Sequence, residues 1–338
     1  MELRESYAKD IRILDKYYKW GWLVILGIGT IILSQGGGDY SAYMLNLILI
    51  NIIAGIGLNI LTGYTGLISL GHAAFMAIGA YSSVILTAKF GFPFPLALVS
   101  SVILTGLVGF LVGIPSLRLT GMYLMLVTMA FGFVVDEIIL QSDGLTGGAD
   151  GLGALPPTIL GVTFDTYQKY FFITFICLAL SMLCAKNILR GGFGRTLMAI
   201  RDSETAAESM GINLGWYKAL SFTISSAYAG LAGVLYAHFL LFISVDNFTL
   251  LHSISYIVMI VVGGIGTLIG SVMGATFITV LPEIITFAKD YLPEMLKDAS
   301  SLQAAIYGII LMVFVIYQPT GLFGLWMRIK VWWAKFPL

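Results

Sequence analysis

No Asp, Glu, Lys or Arg stands between Asp39 and Lys89. A stretch of that length without charge cannot cover the surface of a soluble domain, where Lys, Glu, Arg and Asp concentrate. Cysteine is almost absent too: Cys177 and Cys184 lie seven apart in one apolar run. On a helix they share a face but stand too far apart for disulfide geometry, so both read as buried small apolar residues. No Gly-Lys dipeptide occurs, which excludes the phosphate-cradling loop that ends in lysine and serine or threonine. Also missing are H-E-x-x-H, paired metal-ligand spacings and G-x-S-x-G, so no catalytic residue, metal or cofactor is expected.

What is present is hydrocarbon. Apolar residues make up 58% of the 338 and charged ones 11%, with a mean hydropathy of +0.93, the composition of a polytopic membrane protein. Of the 36 charges, 26 cluster, nine in residues 1 to 20, eight in 186 to 218, six in 282 to 301 and three after Gln318. Positives and negatives are segregated by loop, so the zero net charge by itself says nothing about a nucleic-acid partner, and none is expected. The N-terminal MELRESYAKDIRILDKYYKW is too charged for a secretory signal, and no small-residue cleavage site follows the first apolar run.

Runs long enough to cross a bilayer, which takes roughly 20 residues, fall at 20 to 34, 43 to 62, 67 to 88, 95 to 116, 120 to 140, 169 to 185, 217 to 243, 253 to 281 and 302 to 318. Lysine and arginine in short loops mark the cytoplasmic side. The arm 1–19, the loop 186–216 with Arg190, Arg195 and Arg201, and the tail 319–338 all qualify. Both termini can be cytoplasmic only if 253 to 281 counts as two crossings or a re-entrant pair, and Gly263, Gly264, Gly266, Gly270 and Gly274 supply the break. The expectation is an all-α polytopic bundle of about ten traversals with glycine-broken central helices, a single domain over 1–338.

A second glycine cluster, Gly63, Gly66, Gly71 and Gly79, opens with a G-x-x-G that Gly263 and Gly266 echo. Irregular backbone at membrane depth is tolerated only where protein or a water-filled cavity satisfies it, and broken helices recur at transport sites. Glycines also simply let helices approach, and both readings stay open. On the first, Gly63, Gly66, Gly71, His72, Gly263, Gly264, Gly266 and Gly270 belong to a translocation path lined by small apolar side chains. The three histidines, His72, His238 and His252, otherwise read as packing or interfacial residues. Trp20, Trp22, Trp326, Trp332 and Trp333 read as interfacial anchors.

Between Arg190 and Asn213 lies a polar segment able to form a short helix. Asp202 or Ser203 can cap it, Glu204 suits its positive end, and Gly211 supplies a left-handed stop. Ala206, Ala207 and Met210 give a small apolar face beside Glu208, a shape suited to a groove on a partner; a solvated interhelical loop is the alternative. The mixed-charge stretch 283 to 301 fits a helix on the outer membrane surface and equally a contact with a soluble partner. The glycine-rich Thr146 to Gly153 carries no basic residue and reads as an outer loop. Asp136 and Glu137 stand near the outer end of the fifth span, where carboxylates face either a vestibule or the interface.

Four segments, NILTGYTGLISLGHAAFMAIGAY, LTGGADGLGALP, AIRDSETAAESMGIN and VVGGIGTLIGSVMGA, resemble LivM-type permeases, subunits of the ATP-driven branched-chain amino acid importers. The likeness runs from about Leu47 to Gly324. It implies a second, LivH-like permease, two cytoplasmic ATPase subunits and a solute-binding protein as partners, in the cell inner membrane. The E-x-A-A-x-x-x-G of Glu204, Ala206, Ala207 and Gly211 resembles the helix that docks into the ATPase, so Arg201, Asp202, Glu204, Ala206, Ala207, Glu208 and Gly211 become the coupling residues. Thr205 departs from the plainest E-A-A form. The implied function is alternating-access transport of branched-chain or related amino acids; relatives that handle urea and short amides keep the substrate open. The competing class is a self-contained secondary transporter or channel for a small neutral solute. An intramembrane enzyme would need a nucleophile and base or a metal set, and the sequence offers none.

Overall fold

The computed structural model describes residues 36, 38–115, 119, 121–159, 161–289, 300–318 and 320–335. The N-terminal arm 1–19, the run 20 to 34, Trp20 and Trp22 lie outside the described residues. Helix α1 is Gly38–Asn59, prolonged by a π-helical turn Ile60–Tyr64. Then follow α2 (His72–Val84), α3 (Phe94–Gly113), α4 (Met122–Gln141) and α5 (Tyr167–Arg190). The polar segment forms α6 (Gly192–Asp202) and α7 (Glu204–Ser209). After it come α8 (Leu214–Leu240), α9 (Leu250–Gly263), α10 (Leu268–Lys289), α11 (Ser300–Tyr317) and α12 (Gly321–Lys335).

Among the described residues, seven helical segments are long and apolar enough to cross a membrane. A helix that is apolar all round must be buried in protein or lipid, and both cases occur. The apolar windows of α1 and α8 are 72% and 67% buried, whereas that of α4 is only 22% buried. Helices α1 and α8 therefore form the middle of the bundle. Helix α8 packs on α1, α2 and α3, while α5 and α10 cover other sides of α1. The crossing of α2 on α8 is a backbone contact, since a methyl on Gly79 would overlap Gly230 and one on Gly233 would overlap the Met76 carbonyl.

Several expectations change. The run 67 to 88 is not one helix: Gly66 to Gly71 is largely irregular and α2 begins only at His72. Residues 253 to 281 do divide at the glycines, into α9 and α10. Residues 283 to 289 continue α10 through Pro282 instead of starting a surface helix, and 290–299 lie outside the described residues. Cys177 is half-buried but Cys184 is exposed, because α5 turns that part of its face away from the bundle. The fold is helical but not purely so. Leu152–Gly153 pairs antiparallel with Phe242–Ile243, and Thr158–Ile159 with Val162–Thr163. The first pairing ties the glycine-rich loop to the end of α8.

Candidate functional site

The end of the bundle that carries Arg190, Arg195, Arg201 and Lys218 is here the near end. At that end the two glycine regions meet. Asn59, fully buried near the end of α1, donates through Nδ2 to the Thr267 carbonyl and the Ser271 hydroxyl, both at 2.8 Å. Its Oδ1 accepts from the Gly266 amide at 2.8 Å. This side chain thus meets the Gly266 amide and Thr267 carbonyl of the turn between α9 and α10, where Thr267 Oγ1 also donates to the Gly264 carbonyl at 3.0 Å. Gly264 (φ +120°) and Gly266 (φ +77°) give that turn its shape. A methyl on Gly63 would overlap both Asn59 and the Gly266 amide, so only glycine lets α1 and the turn approach this closely.

Arg201, at the end of α6, completes this node. Its Nη1 donates to the Gly63 carbonyl at 2.7 Å, and its side chain packs on Gly66 and Gly266. A cation on a carbonyl at a helix C-terminus is favoured by the helix dipole as well as by the bond, and a charge-assisted bond contributes about 1.5–3 kcal/mol. Arg201 also pairs with Asp202 at 3.3 Å.

The short helix α7 follows at once. Ser203 caps it, its Oγ accepting from the Ala206 amide at 3.2 Å, and Gly211 (φ +82°) stops it. Glu204 reaches back to Lys218 in the first turns of α8, Oε2 to Nζ 2.7 Å, with the lysine side chain only 2% exposed. Ala207 turns inward, whereas Ala206, Glu208 and Met210 face out, Met210 at 81% exposure. The outward face is thus Thr205, Ala206, Glu208 and Met210, with Ala207 as the residue that seats the helix.

Beyond the node the chain runs irregularly into the bundle, and its polar groups are met from inside. Thr62 Oγ1 donates to the Leu67 carbonyl at 3.0 Å, and the Leu70 amide donates to Thr128 Oγ1 at 3.0 Å. His72 Nε2 donates to the Ala54 carbonyl at 3.0 Å. Ala54 lies ten residues before Tyr64, about 15 Å along the helix. Helix α2 therefore begins at mid-depth, with its Ala73 amide on Ser253 Oγ at 2.9 Å. The His72 ring meets the Tyr256 ring edge-on, centroids 5.6 Å apart.

Beside that helix start lies a cavity of about 200 Å³. Its polar wall is Asn51, Tyr236, Asn247, His252 and Tyr256, and its apolar wall Leu47, Ala73, Met76 and Phe248. The Tyr256 hydroxyl donates to Asn51 Oδ1 at 3.2 Å, and Asn51 Nδ2 to Thr279 Oγ1 at 2.9 Å. A much smaller space of about 10 Å³ is lined by Asp136, Leu70, Ala74 and Ser253, and Asp136 Oδ1 has no hydrogen-bond partner among the described residues.

Residues 40–316 match the model of the branched-chain amino acid transport system permease component family. The chain belongs to this family. It is 30% identical to the high-affinity branched-chain amino acid transport permease LivM of Salmonella typhimurium over 92% of this chain and 75% of the relative. The LivM protein of Escherichia coli gives the same identity and coverage. A probable LivM protein of Methanocaldococcus jannaschii is 26% identical over 67% of this chain and 68% of its own length. No solved structure matches.

As a LivM-type permease the chain is a transport subunit of an ATP-driven importer and not an enzyme. The residues expected of the permease fall into two groups. Arg201, Gly63, Gly66 and Gly266 come together in the node, while Gly263 and Gly270 pack on one another between α9 and α10. Gly71 lies against the Thr128 carbonyl and His72 between α1 and Tyr256, so none of these lines the cavity. Asn59, Lys218, Asn51 and Tyr256 were not read from the sequence as site residues. A signal for the asparagines existed: amide side chains in a charge-free helix must find partners.

Proposed function

We propose that the chain forms the translocation path for branched-chain or related amino acids by alternating access. A LivH-like permease is its partner in the bilayer, two ATPase subunits sit at its near end and a solute-binding protein at the other. The near end is then cytoplasmic, as its basic residues suggest. The single domain 1–338 crosses the cell inner membrane about ten times as a multi-pass protein, with both termini inside.

In this reading α7 docks on the ATPase through its outward face, Ala207 seats it, and Gly211 ends it. Movement of α7 is passed on by two routes. Glu204 pulls Lys218 and with it α8, and Arg201 pulls the Gly63 carbonyl at the end of α1. The node of Gly63, Gly66, Gly264 and Gly266 is then the inner closure of the path, with Gly71 and His72 behind it and Gly263 and Gly270 holding the α9–α10 hinge. Coupling energy needs a contiguous physical link with two arrangements. The Arg201 bond to Gly63, joining docking segment to closure, is the observation that carries this reading.

The test is purification of a tagged copy from its own cells in mild detergent. Co-purification of P-loop ATPases and a sister permease, with uptake that needs ATP hydrolysis, is the expected result. A solitary chain that moves solute without ATP overturns it. The second reading, an ion-coupled secondary transporter, stands on Asp136 beside the break, whose Oδ1 has no hydrogen-bond partner among the described residues. Asp136→Asn should leave ATP-driven uptake within twofold in the importer and abolish uptake in the ion-coupled case.

A further inference from the structure

The far end of the bundle, opposite Arg201 and Lys218, carries the glycine-rich loop, which takes no part in the coupling node. Its course is fixed from within. Thr146 Oγ1 donates to the Ile139 carbonyl at 2.6 Å and accepts from the Gly148 amide at 3.2 Å. Gly147 (φ +75°), Gly148 (φ +54°) and Gly151 (φ +76°) make turns that side chains resist. Leu152 and Gly153 then pair with Ile243 and Phe242, and the Ala154 amide donates to the Leu241 carbonyl at 2.8 Å. His238 Nδ1, on α8, donates to the Leu155 carbonyl at 2.9 Å. The loop and the end of α8 therefore form one preformed surface.

That surface stands outside the hydrocarbon. Lys218, bonded to Glu204 at the near end, and Leu240 are separated by about 33 Å of α8, and a bilayer core is about 30 Å thick. Irregular backbone open to its surroundings also does not occur in lipid. Water therefore meets the loop, yet Leu145, Leu155, Val162 and Phe242 are each more than half exposed there. Phe242 lies against Gly151, and Leu155 follows the strand that pairs with it. Apolar side chains gathered in water mark a protein contact. The charges beside them have one sign. Asp150 adjoins Gly151 and Asp246 follows Phe242 by four residues, both exposed and without an ion pair among the described residues. Two lysines of this end are engaged, Lys169 with Asp165 at 2.9 Å and Lys89 with the Gly144 carbonyl at 2.6 Å.

We propose that this surface seats the soluble solute-binding protein, with Leu155 and Phe242 as its apolar centre and Asp150 and Asp246 as an acidic rim, and that the partner meets it with a rim of lysine or arginine. The proposal rests on the reading of the chain as an importer subunit. Desolvated apolar anchors at the centre of a contact carry most of its energy, while rim charges of opposite sign steer the approach. The paired backbone holds the surface in one shape, so little ordering is needed on contact.

The test reads how much binding protein the complete transporter needs. The transporter is held in nanodiscs, and the probe is the soluble solute-binding protein of the same cells, purified as the protein that raises its ATP hydrolysis. The concentration for half-maximal stimulation is measured for the natural chain, Phe242→Ser, Leu155→Ser and the double reversal Asp150→Lys with Asp246→Lys, at low and at raised salt. Each serine variant should raise that concentration by about tenfold, with hydrolysis in the absence of binding protein unchanged. The double reversal should raise it by about tenfold or more at low salt and by much less once salt screens the rim. A reversal that leaves the value within twofold or lowers it overturns the proposal, the second outcome meaning an acidic partner. Serine variants that match the natural chain overturn it too, and lipid or the sister permease then covers the patch, though the importer reading stands. Should Phe242→Ser disturb the strand pair and fail to assemble, Leu155→Ser decides alone. A natural complex whose ATP hydrolysis no soluble protein raises would sink the importer reading along with the proposal.

Discussion

Between Gly63 and Gly71 the chain leaves α1, runs irregularly into the bundle and starts α2 beside Ala54 at mid-depth. Between Gly264 and Thr267 it turns round in four residues and starts the 22-residue helix α10 at once. Both regions carry a G-x-x-G, and in both the glycines meet demands of positive φ or close approach. The difference lies in what satisfies the backbone. The first region borrows hydroxyls from Thr62 and Thr128 along its course, whereas the turn is held by the amide of Asn59 from α1 together with its own Thr267 hydroxyl. One break exposes a helix start inside the protein; the other makes a rigid corner. They touch at Gly63 and Gly266, and Arg201 lies over both.

That contrast can be attacked most strongly at the corner. Gly266→Val places a β-branched residue at φ +77° against Arg201 and Gly63, and strain plus overpacking should cost about 3 kcal/mol or more. Thermal unfolding of the purified complex should show a large loss, and an unchanged midpoint would mean that the corner is not tight. Asn59→Leu comes next. It removes three hydrogen bonds and leaves the half-buried Gly266 amide without its acceptor, costing about 1–3 kcal/mol, while the Thr267 carbonyl keeps the Ser271 amide. The same change at Asn51, which makes two bonds beside a cavity, should cost less.

Glu204→Ala leaves Lys218 buried without its partner. Because Glu204 is half-exposed, water can reach the ammonium, and the loss should be about 1–2 kcal/mol instead of that for a fully buried pair. Lys218→Met in the same chain should restore most of it, as read by chemical denaturation. The smallest effect on stability is expected at Met210, where Met210→Ser should stay within about 0.5 kcal/mol. Its effect belongs to partner affinity, so co-purification of the ATPase should weaken while the midpoint holds.

Local chemistry made part of this legible in the sequence. Ser203, Glu204 and Gly211 spell a capped helix within nine residues, and the structure forms it there. The division of 253 to 281 was also readable, since the glycine run admits no continuous helix that keeps the loop charges on one side. Composition could not separate a corner from a half-depth break, because both use glycine for close approach. The decisive partners lie far off: Arg201 and Gly63 are 138 apart in sequence, Asn59 and Thr267 are 208 apart. The inward turn of Ala207 was hidden for the same reason, as a six-residue helix does not reveal which side its neighbours cover. The cavity draws on five segments, of which only that of Ala73 and Met76 lies in a segment the sequence singles out.

The central claim is that the docking segment and the inner closure are one mechanical unit joined through Arg201. It is tested most directly by measuring ATP hydrolysis and solute uptake together in proteoliposomes of the complete transporter carrying Arg201→Ala. Uptake per ATP hydrolysed should fall by about tenfold or more, the loss of a charge-assisted bond of about 1.5–3 kcal/mol, in a complex that still assembles. Uptake per ATP equal to that of the natural chain would contradict the account.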